Sequence, residues 1–451
     1  MSQEAPDLNL FTMHETPYGW PFQQLGIPQA HKVTRGSPDV VVAVIDLGYV
    51  QHPDHEGHLW INPKPTKGDL HGWDCFDDDA SLEPTGPGQD NDYNRRHHAF
   101  VAGEVMACAP ECKVMIVRVG YGKNPDSWWQ GIDYAVEHGA KVLVMPHGFL
   151  THGKRGARTP MFYRGTDFSY PLDNPQIRRA LDDAYDAGCL ICRGVAENRG
   201  RRIAAINSAL DSVIAIGSSN RHGRAADICC SADYVEVAAP AGQRSSSNDA
   251  DHVWSTGGDS DYVCSDGGCM AAGFGGGVAA LVCSRFPDLS NEQIRQILRN
   301  TAGNDKWDNK LGWGILNAAE AVALKRNALK QELQIETSSA SLKTVRGRPV
   351  LQVSVHNRGA FDVDKALLVA FNGDPLKAAA PRATMAKPEI LITCQIGHAI
   401  APVRGLHSAE FHIKLTEAPP KGMWLQLCTL DRHGSDQVHT VKIPTLRKRR
   451  T

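Results

Sequence analysis

The chain has 451 residues, of which 42% are hydrophobic and 22% are charged, and it contains 42 glycines and 26 prolines. This length predicts two or three domains, and the composition excludes a disordered or fibrous protein. The 48 basic residues are balanced by 50 acidic ones, and no apolar run approaches the roughly 18 residues of a membrane span. We therefore expect neither nucleic acid nor a membrane as a partner.

Residues 1–5 are polar and lack the basic and apolar regions of a signal peptide. The twelve cysteines form no repeating framework, and several lie in apolar stretches, as Cys192 and Cys283 do. This pattern favours reduced core thiols over disulfides. Cys189 and Cys192 have the spacing of half a zinc site, but no second Cys or His pair accompanies them. The sequence thus predicts a cytoplasmic protein, with secretion after processing as the open alternative.

Strands and helices alternate along the first two thirds of the chain. Runs of apolar, often β-branched residues predict buried strands at 40–45, 114–119, 141–145, 188–193 and 212–216. Apolar residues at helical spacing predict helices at 128–137, 177–187, 270–284, 294–300 (behind a capping box of Ser290 and Gln293) and 318–329. This alternation predicts an α/β fold with a doubly wound, mostly parallel sheet, whose active site lies at the carboxyl ends of the strands.

After about residue 335 the pattern changes to short alternating strands between Gly, Pro and Asn-rich turns. We expect strands at 350–355, 366–371, 410–415 and 423–430, which together form a C-terminal β-sandwich of roughly 110 residues. The predicted organisation is an extension at 1–17, a first domain at 18–330, the sandwich at 335–446 and a solvated basic tail at 447–451. The sandwich carries no catalytic constellation. It is either an accessory domain that docks a protein partner or a lid that stabilises the first domain.

Three short segments contain residue types that are suited to nucleophilic catalysis. They are VIDLG around Asp46, HHAFVAG beginning at His97, and GGCMAA around Cys269. In this order they resemble the signatures of the subtilisin-like peptidases (subtilases), D-[ST]-G, H-G-T-H-V-A-G and G-T-S-M-A. The resemblance extends over about residues 18–325 and implies a subtilisin-like fold for the first domain.

The resemblance also implies the role of each matched residue. Asp46 would orient the imidazole of His97, which would be the general base and acid, and Cys269 would be the nucleophile. Asn198, in the segment VAENRG, matches the asparagine of the family's oxyanion hole. The implied substrate-binding residues are Pro146, His147, Gly148, Val195 and Arg199. Arg199 either favours an acidic substrate side chain or points into solvent.

The chain departs from the family pattern at several of these positions. Cysteine replaces the nucleophilic serine at 269, Gly268 replaces a threonine, and Gly273 replaces a proline. His98, Ala99 and Phe100 replace the family's Gly, Thr and His, so either neighbouring histidine could be the base. Glu197 replaces the glycine that precedes the oxyanion asparagine.

The sequence therefore predicts acyl transfer on peptide or protein substrates through an Asp-His-Cys triad. A helix N-terminus and a neighbouring imidazolium both favour a thiolate at Cys269, and its attack would form a thioester that water or an amine then resolves. We expect no cofactor and no metal, because the acidic turn at 74–79 lacks a recognisable ligand spacing. Two alternatives stay open: an inactive peptide-binding pseudo-peptidase, and a serine peptidase whose natural serine has been replaced by cysteine.

Overall fold

The computed structural model describes residues 8–85, 91–120, 124, 126–147, 162–164, 175–195, 203–205, 210–372, 395–416, 423–429 and 438–443. The chain separates into two compact units, Met1–Ala323 and Leu324–Thr451. The domain limits at 18–330 and 335–446 stay a prediction.

The first unit is built on a seven-stranded parallel sheet with the strand order β2-β3-β1-β4-β6-β8-β9. Two antiparallel pairs, β5 with β7 and β10 with β11, lie outside it. The strands are β1 (Val41–Asp46), β2 (Gly72–Asp74), β3 (Lys113–Arg118), β4 (Val142–Val144), β5 (Phe162–Arg164), β6 (Leu190–Gly194), β7 (Ile203–Ala205), β8 (Ile214–Ser219), β9 (Val237–Pro240), β10 (Val253–Thr256) and β11 (Tyr262–Ser265). The five strands expected from apolar runs are all members of the parallel sheet.

Helices accompany this sheet. They are α1 (Trp20–Gln24), α2 (Ile27–Ala30), α3 (Asp92–Cys108), α4 (Ser127–Glu137), α5 (Pro175–Asp186), α6 (Gly268–Arg285), α7 (Asn291–Asn300) and α8 (Ala318–Ala323). Single 3₁₀ turns form at Met13–Glu15, Pro53–His55, Asp249–Asp251 and Arg326–Ala328. The capping box of Ser290 and Gln293 is present at the start of α7. The last helix is shorter than expected, since it ends at Ala323.

Helix α6 packs against both the sheet and α3, and its small residues permit this close approach. A Cβ atom on Gly276 would lie 2.2 Å from Cγ2 of Val144 on β4. By length and composition alone, α6 could cross a membrane, with 18 residues and a mean hydropathy of 1.2. However, 78% of that stretch is buried within the protein, as is usual for a core helix.

The start of the described chain is part of the first unit. Leu10 and Met13 are 2% and 0% exposed, and the backbone N–H of Leu10 donates to Oδ2 of Asp54 at 2.9 Å. Residues 8–17, expected as an extension, are therefore tied to the unit by burial and by a hydrogen bond.

The second unit consists of two antiparallel sheets with the orders β12-β13-β16 and β15-β14-β17-β18. Their strands are β12 (Leu333–Val345), β13 (Arg348–Asn357), β14 (Val363–Phe371), β15 (Gln395–Val403), β16 (Ser408–Lys414), β17 (Trp424–Thr429) and β18 (Val438–Lys442). Alternate residues of these strands are buried in one apolar cluster that includes Leu351, Val353, Leu368 and Leu425. The predicted fold class, an α/β parallel-sheet domain followed by a β-sandwich, is confirmed.

Candidate active site

Asp46 is the last residue of β1, at the carboxyl edge of the parallel sheet, and it is fully buried. Its Oδ1 accepts a hydrogen bond from the backbone N–H of Leu47 at 2.7 Å, and its Oδ2 lies 2.7 Å from Nδ1 of His97. Burial disfavours the carboxylate, but the charges of His97 and His147 outweigh it and hold the pKa of Asp46 well below its usual range. Asp46 is therefore an anion that can orient and stabilise an imidazolium.

His97 lies in the second turn of α3, a helix whose first turn is capped by the side chain of Asn91. The imidazole is 7% exposed, and the ring of Tyr93 lies 4.8 Å away between centroids. Burial disfavours the charged imidazole, yet the charge of Asp46, and after it that of Cys269, hold the pKa of His97 well above its usual range. The structure therefore brings a carboxylate and a thiol to the same imidazole.

Cys269 is the second residue of α6, after the N-cap Gly267. Its thiol donates a hydrogen bond to the carbonyl oxygen of Pro146 at 3.3 Å. A Cβ atom on Gly194 would lie only 2.2 Å from the carbonyl oxygen of Gly268, so the end of β6 lies directly against the start of α6. The helix thus begins at the sheet edge where Asp46 lies, and its N-terminal dipole favours negative charge on the sulfur.

His98 does not share this environment. It is fully buried, and its Nε2 lies 3.0 Å from the carbonyl oxygen of Val44. Burial lowers the pKa of His98 to about 4. Of the two neighbouring histidines, His97 is the one that pairs with Asp46 and whose pKa is influenced by Cys269.

The predicted substrate-binding residues have different surroundings. Pro146 is buried, and its carbonyl group accepts the thiol of Cys269. Val195 is 2% exposed and packs with Ala215 and Cys230, so any contact with a substrate would involve its backbone. Gly148, Asn198 and Arg199 lie outside the described residues, and their roles stay predictions.

His147 is predicted to bind substrate, and in the structure it lies against Asp46 and His97. Its Nε2 lies 2.9 Å from Oδ1 of Asp46 and 3.2 Å from Nδ1 of His97. The guanidinium of Arg193 donates to the His147 carbonyl oxygen at 2.7 Å. Burial, and then the charge of His97, lower the pKa of His147 although Asp46 opposes them. The sequence offered no sign of this contact beyond a histidine that follows β4, the neighbour of β1.

Glu104 is a second residue that the motifs did not reveal. It lies on α3, is 1% exposed, and neither of its carboxyl oxygens has a hydrogen-bond partner among the residues that the structure describes. Burial holds the pKa of Glu104 well above its usual range. In the sequence, Glu104 could have been noticed as a single acidic residue inside the otherwise apolar run at 99–108. The carboxyl group packs against Gly273 of α6, one turn after Cys269.

Asp46, His97 and His147 form one possible cation site, and the acidic turn at 74–79 is a second group of acidic residues. The ligand atoms of Asp46, His97 and His147 all lie within 4.8 Å of one another, which would suit a metal ion. In the acidic turn, the buried guanidinium of Arg118 supplies the positive charge. It donates hydrogen bonds to Asp74 and, at 2.7 Å, to Asp77. This pairing gives the acidic turn a structural partner within the protein.

Comparisons with known proteins agree with this fold. The profile of the subtilase family matches residues 37–314. Fervidolysin of Fervidobacterium pennivorans is 26% identical over 74% of this chain, and this chain spans about half of that relative (48%). The halolysin-like extracellular serine protease Nep of Natrialba magadii is 28% identical over 66% of this chain and 50% of its own length. The crystal structure of a lanthipeptide protease matches with a TM-score of 0.55 and 23% identity, over 71% of this chain and 99% of that one, which supports the fold.

The expected cytoplasmic location is wrong. Nep, a matched relative, is extracellular by its name. The polar residues at the start of the chain therefore do not determine the compartment in which a member of this group works. The eleven cysteines among the described residues are free thiols, and seven of them are buried.

Proposed function

Because the chain belongs to the subtilase family, we propose that it is a peptidase whose triad is Asp46, His97 and Cys269. The observation that carries this proposal is the imidazole of His97, whose Nδ1 lies 2.7 Å from Oδ2 of Asp46 and whose pKa is raised by Asp46 and also by Cys269 against the effect of burial. A base positioned between an orienting carboxylate and a nucleophile is the arrangement that activates serine and cysteine for acyl transfer.

In the proposed reaction, the thiol proton of Cys269 passes to Nε2 of His97, while Nδ1–H keeps its hydrogen bond to Asp46. The thiolate attacks the substrate carbonyl carbon and forms a tetrahedral oxyanion. By the family match, Asn198 and the backbone N–H of Cys269 would stabilise that oxyanion. His97 then protonates the leaving amine, which leaves a thioester on Cys269. Water or a second amine attacks the thioester with His97 as base, and the free thiol returns.

Two features of the described residues support a reactive sulfur. Cys269 lies in the first turn of the 18-residue helix α6, where the macrodipole favours an anion. Against the effect of burial, the Asp46 carboxylate is the largest cause that holds the pKa of His97 well above its usual range, so the imidazolium needed beside a thiolate is favoured. A site that only bound peptides would have no need for either feature.

The test is selective alkylation of the native protein at slightly acidic pH, followed by peptide mapping. Cys269 should react faster than Cys264, Cys283 and Cys428, the other cysteines that are not fully buried among the described residues. His97→Ala should slow the labelling of Cys269, and His98→Ala should slow it less. Cys269→Ala should abolish turnover of peptide esters.

Three outcomes separate the alternatives. If Cys269 is no more reactive than the other three thiols and no acyl-enzyme can be trapped, the peptide-binding pseudo-peptidase is the better interpretation. If Cys269→Ser greatly raises peptidase activity, the natural nucleophile is a serine. Transfer of the acyl group to an added amine in preference to water would favour transpeptidation over hydrolysis.

The β-sandwich unit contributes none of the three triad residues, since Asp46, His97 and Cys269 all lie in Met1–Ala323. It has its own apolar core, which includes Phe411 and Ile413. This separation supports an accessory role, such as docking of a protein partner, rather than a part in the chemistry.

A further inference from the structure

Three residues with metal-ligating atoms converge on the Nδ1 side of the His97 ring. Nδ1 of His97 lies 2.7 Å from Oδ2 of Asp46, Nε2 of His147 lies 2.9 Å from Oδ1 of Asp46, and the two nitrogens are 3.2 Å apart. The two imidazole rings face each other with centroids 4.4 Å apart. A triad needs only one imidazole on its carboxylate, so His147 is additional to the proposed reaction.

We propose that Asp46, His97 and His147 form a binding site for a divalent transition metal of the zinc class, and that the bound ion inhibits the enzyme. Imidazole nitrogen with one carboxylate is a donor set that zinc and its neighbours accept readily, whereas calcium and magnesium prefer oxygen alone. With metal–ligand bonds of about 2.0–2.1 Å, tetrahedral ligands are separated by about 3.3 Å. The nitrogens of His97 and His147 are 3.2 Å apart, close to this separation, and one ligand atom from each of the three residues lies within 4.8 Å of the others.

The site is also accessible and held in place. Asp46 is fully buried, but the side chains of His97 and His147 are 6% and 11% exposed, so an ion can approach from the histidine side. The hydrogen bond from Arg193 to the His147 carbonyl oxygen fixes the backbone that carries the third ligand. The backbone N–H of Leu47 holds the Asp46 carboxylate from the opposite direction.

Inhibition follows from the position of the ring proton on His97. A metal ion can bind Nδ1 only through its lone pair, so the single proton of the neutral ring must reside on Nε2. In that tautomer Nε2 cannot accept the thiol proton of Cys269. The ion would also coordinate the Asp46 oxygen, which then could not stabilise the imidazolium. The inhibitory part of the proposal rests on the proposed peptidase function, whereas metal binding does not.

The binding test uses the full chain, stripped with a chelator and titrated with Zn²⁺ in competition with a chromophoric chelator. His147→Gln places an amide N–H near the position of Nε2, so it can keep the hydrogen bond to Asp46 while it removes the metal-binding lone pair. We expect this variant to bind Zn²⁺ at least about 100-fold more weakly. Loss of a residue that only hydrogen-bonds to a metal ligand already lowers metal affinity by about 10–100-fold, and His147 is itself a proposed ligand. The exposed His222, changed to Gln, is the matched control and should leave the affinity unchanged.

Two further measurements decide the outcome. Zn²⁺ binding should persist in Cys269→Ala, and Co²⁺ should give the visible bands of a tetrahedral site in the wild-type chain but not in His147→Gln. Equal Zn²⁺ affinities in the wild type and His147→Gln would overturn the proposal, and so would loss of binding in Cys269→Ala with retention in His147→Gln. Zn²⁺ should also inhibit turnover reversibly, with about 100-fold more ion needed for His147→Gln. If the chain has no turnover at all, the proposed function fails while the binding titration still decides the metal site.

Discussion

The carboxyl group of Glu104 occupies the space that a side chain at residue 273 would need, because a Cβ atom on Gly273 would lie 2.1 Å from Oε2 of Glu104. A proline there, as in the family pattern, would meet the same oxygen. The glycine and the buried glutamate are therefore a matched pair at the contact between α3 and α6. These two helices carry His97 and Cys269.

We expect Gly273→Ala to destabilise the protein in spite of the better helix propensity of alanine. The methyl group would force a buried carboxyl group to move, and overpacking of this kind typically costs about 1–3 kcal/mol. In a Glu104→Ala background the methyl group should fill the space that the carboxyl group left. Urea unfolding of both single variants and the double variant gives the coupling energy, which should exceed about 1 kcal/mol in the compensating direction. Additive effects would contradict the pairing.

Asp46→Asn should leave the fold intact and lower kcat by about 10⁴-fold, the loss known for the equivalent change in a serine-protease triad. The amide cannot stabilise an imidazolium, and its NH₂ group favours the wrong tautomer of His97. Steady-state kinetics with a peptide ester measures the loss, and circular dichroism checks the fold. A folded variant with nearly normal kcat would show that Asp46 does not support the base.

Acid should destabilise the protein through His55, which is fully buried between Tyr49 and Thr256, with 2.8 Å contacts to each. Burial lowers the pKa of His55 to about 3, whereas an unfolded histidine titrates near 6.5. Below pH 6.5 the unfolded chain therefore binds a proton that the folded chain excludes. The stability contributed by neutral His55 is complete above pH 6.5 and falls by about 1.4 kcal/mol for each pH unit down to about pH 3.

Urea unfolding at pH 7, 6 and 5 measures this dependence. Below pH 6, His55→Gln should reduce the slope of the unfolding free energy against pH by the amount that corresponds to one bound proton, about 1.4 kcal/mol per pH unit. His222→Gln, which changes an exposed histidine, should leave the slope unchanged. An unaltered slope in His55→Gln would mean that other groups govern the acid sensitivity.

A chain that ends near Ala328 should still turn over a small unstructured peptide. The three proposed triad residues lie in Met1–Ala323, and the β-sandwich strands bury their own apolar cluster, so neither part needs the other to form its core. The measurement compares kcat/KM of the shortened and full chains. A shortened chain that is folded but inactive would show that the β-sandwich contributes to the site.

The alternation of apolar runs indicated five of the seven strands of the parallel sheet, all except β2 and β9, because buried strands and the helices that cover them have distinct local periods. The order of the three motifs determined which aspartate, histidine and cysteine to bring together. Local pattern was weaker where strands are partly exposed, and it did not indicate β12, β15 or β18. It also left the choice between His97 and His98 open, since neighbours on a helix differ only in the direction each side chain takes.

Tertiary structure alone decided the contacts between distant segments. His147 meets Asp46 because β4 lies beside β1 in the sheet, and the ends of parallel strands converge at one edge whatever their separation in the chain. Glu104 meets Gly273 because α3 packs against α6. Sequence periodicity reports which face of an element is buried, but it does not report which partner covers that face. The contacts of the His147 imidazole and of the Glu104 carboxyl group therefore become visible only when strand order and helix packing bring separate parts of the chain together.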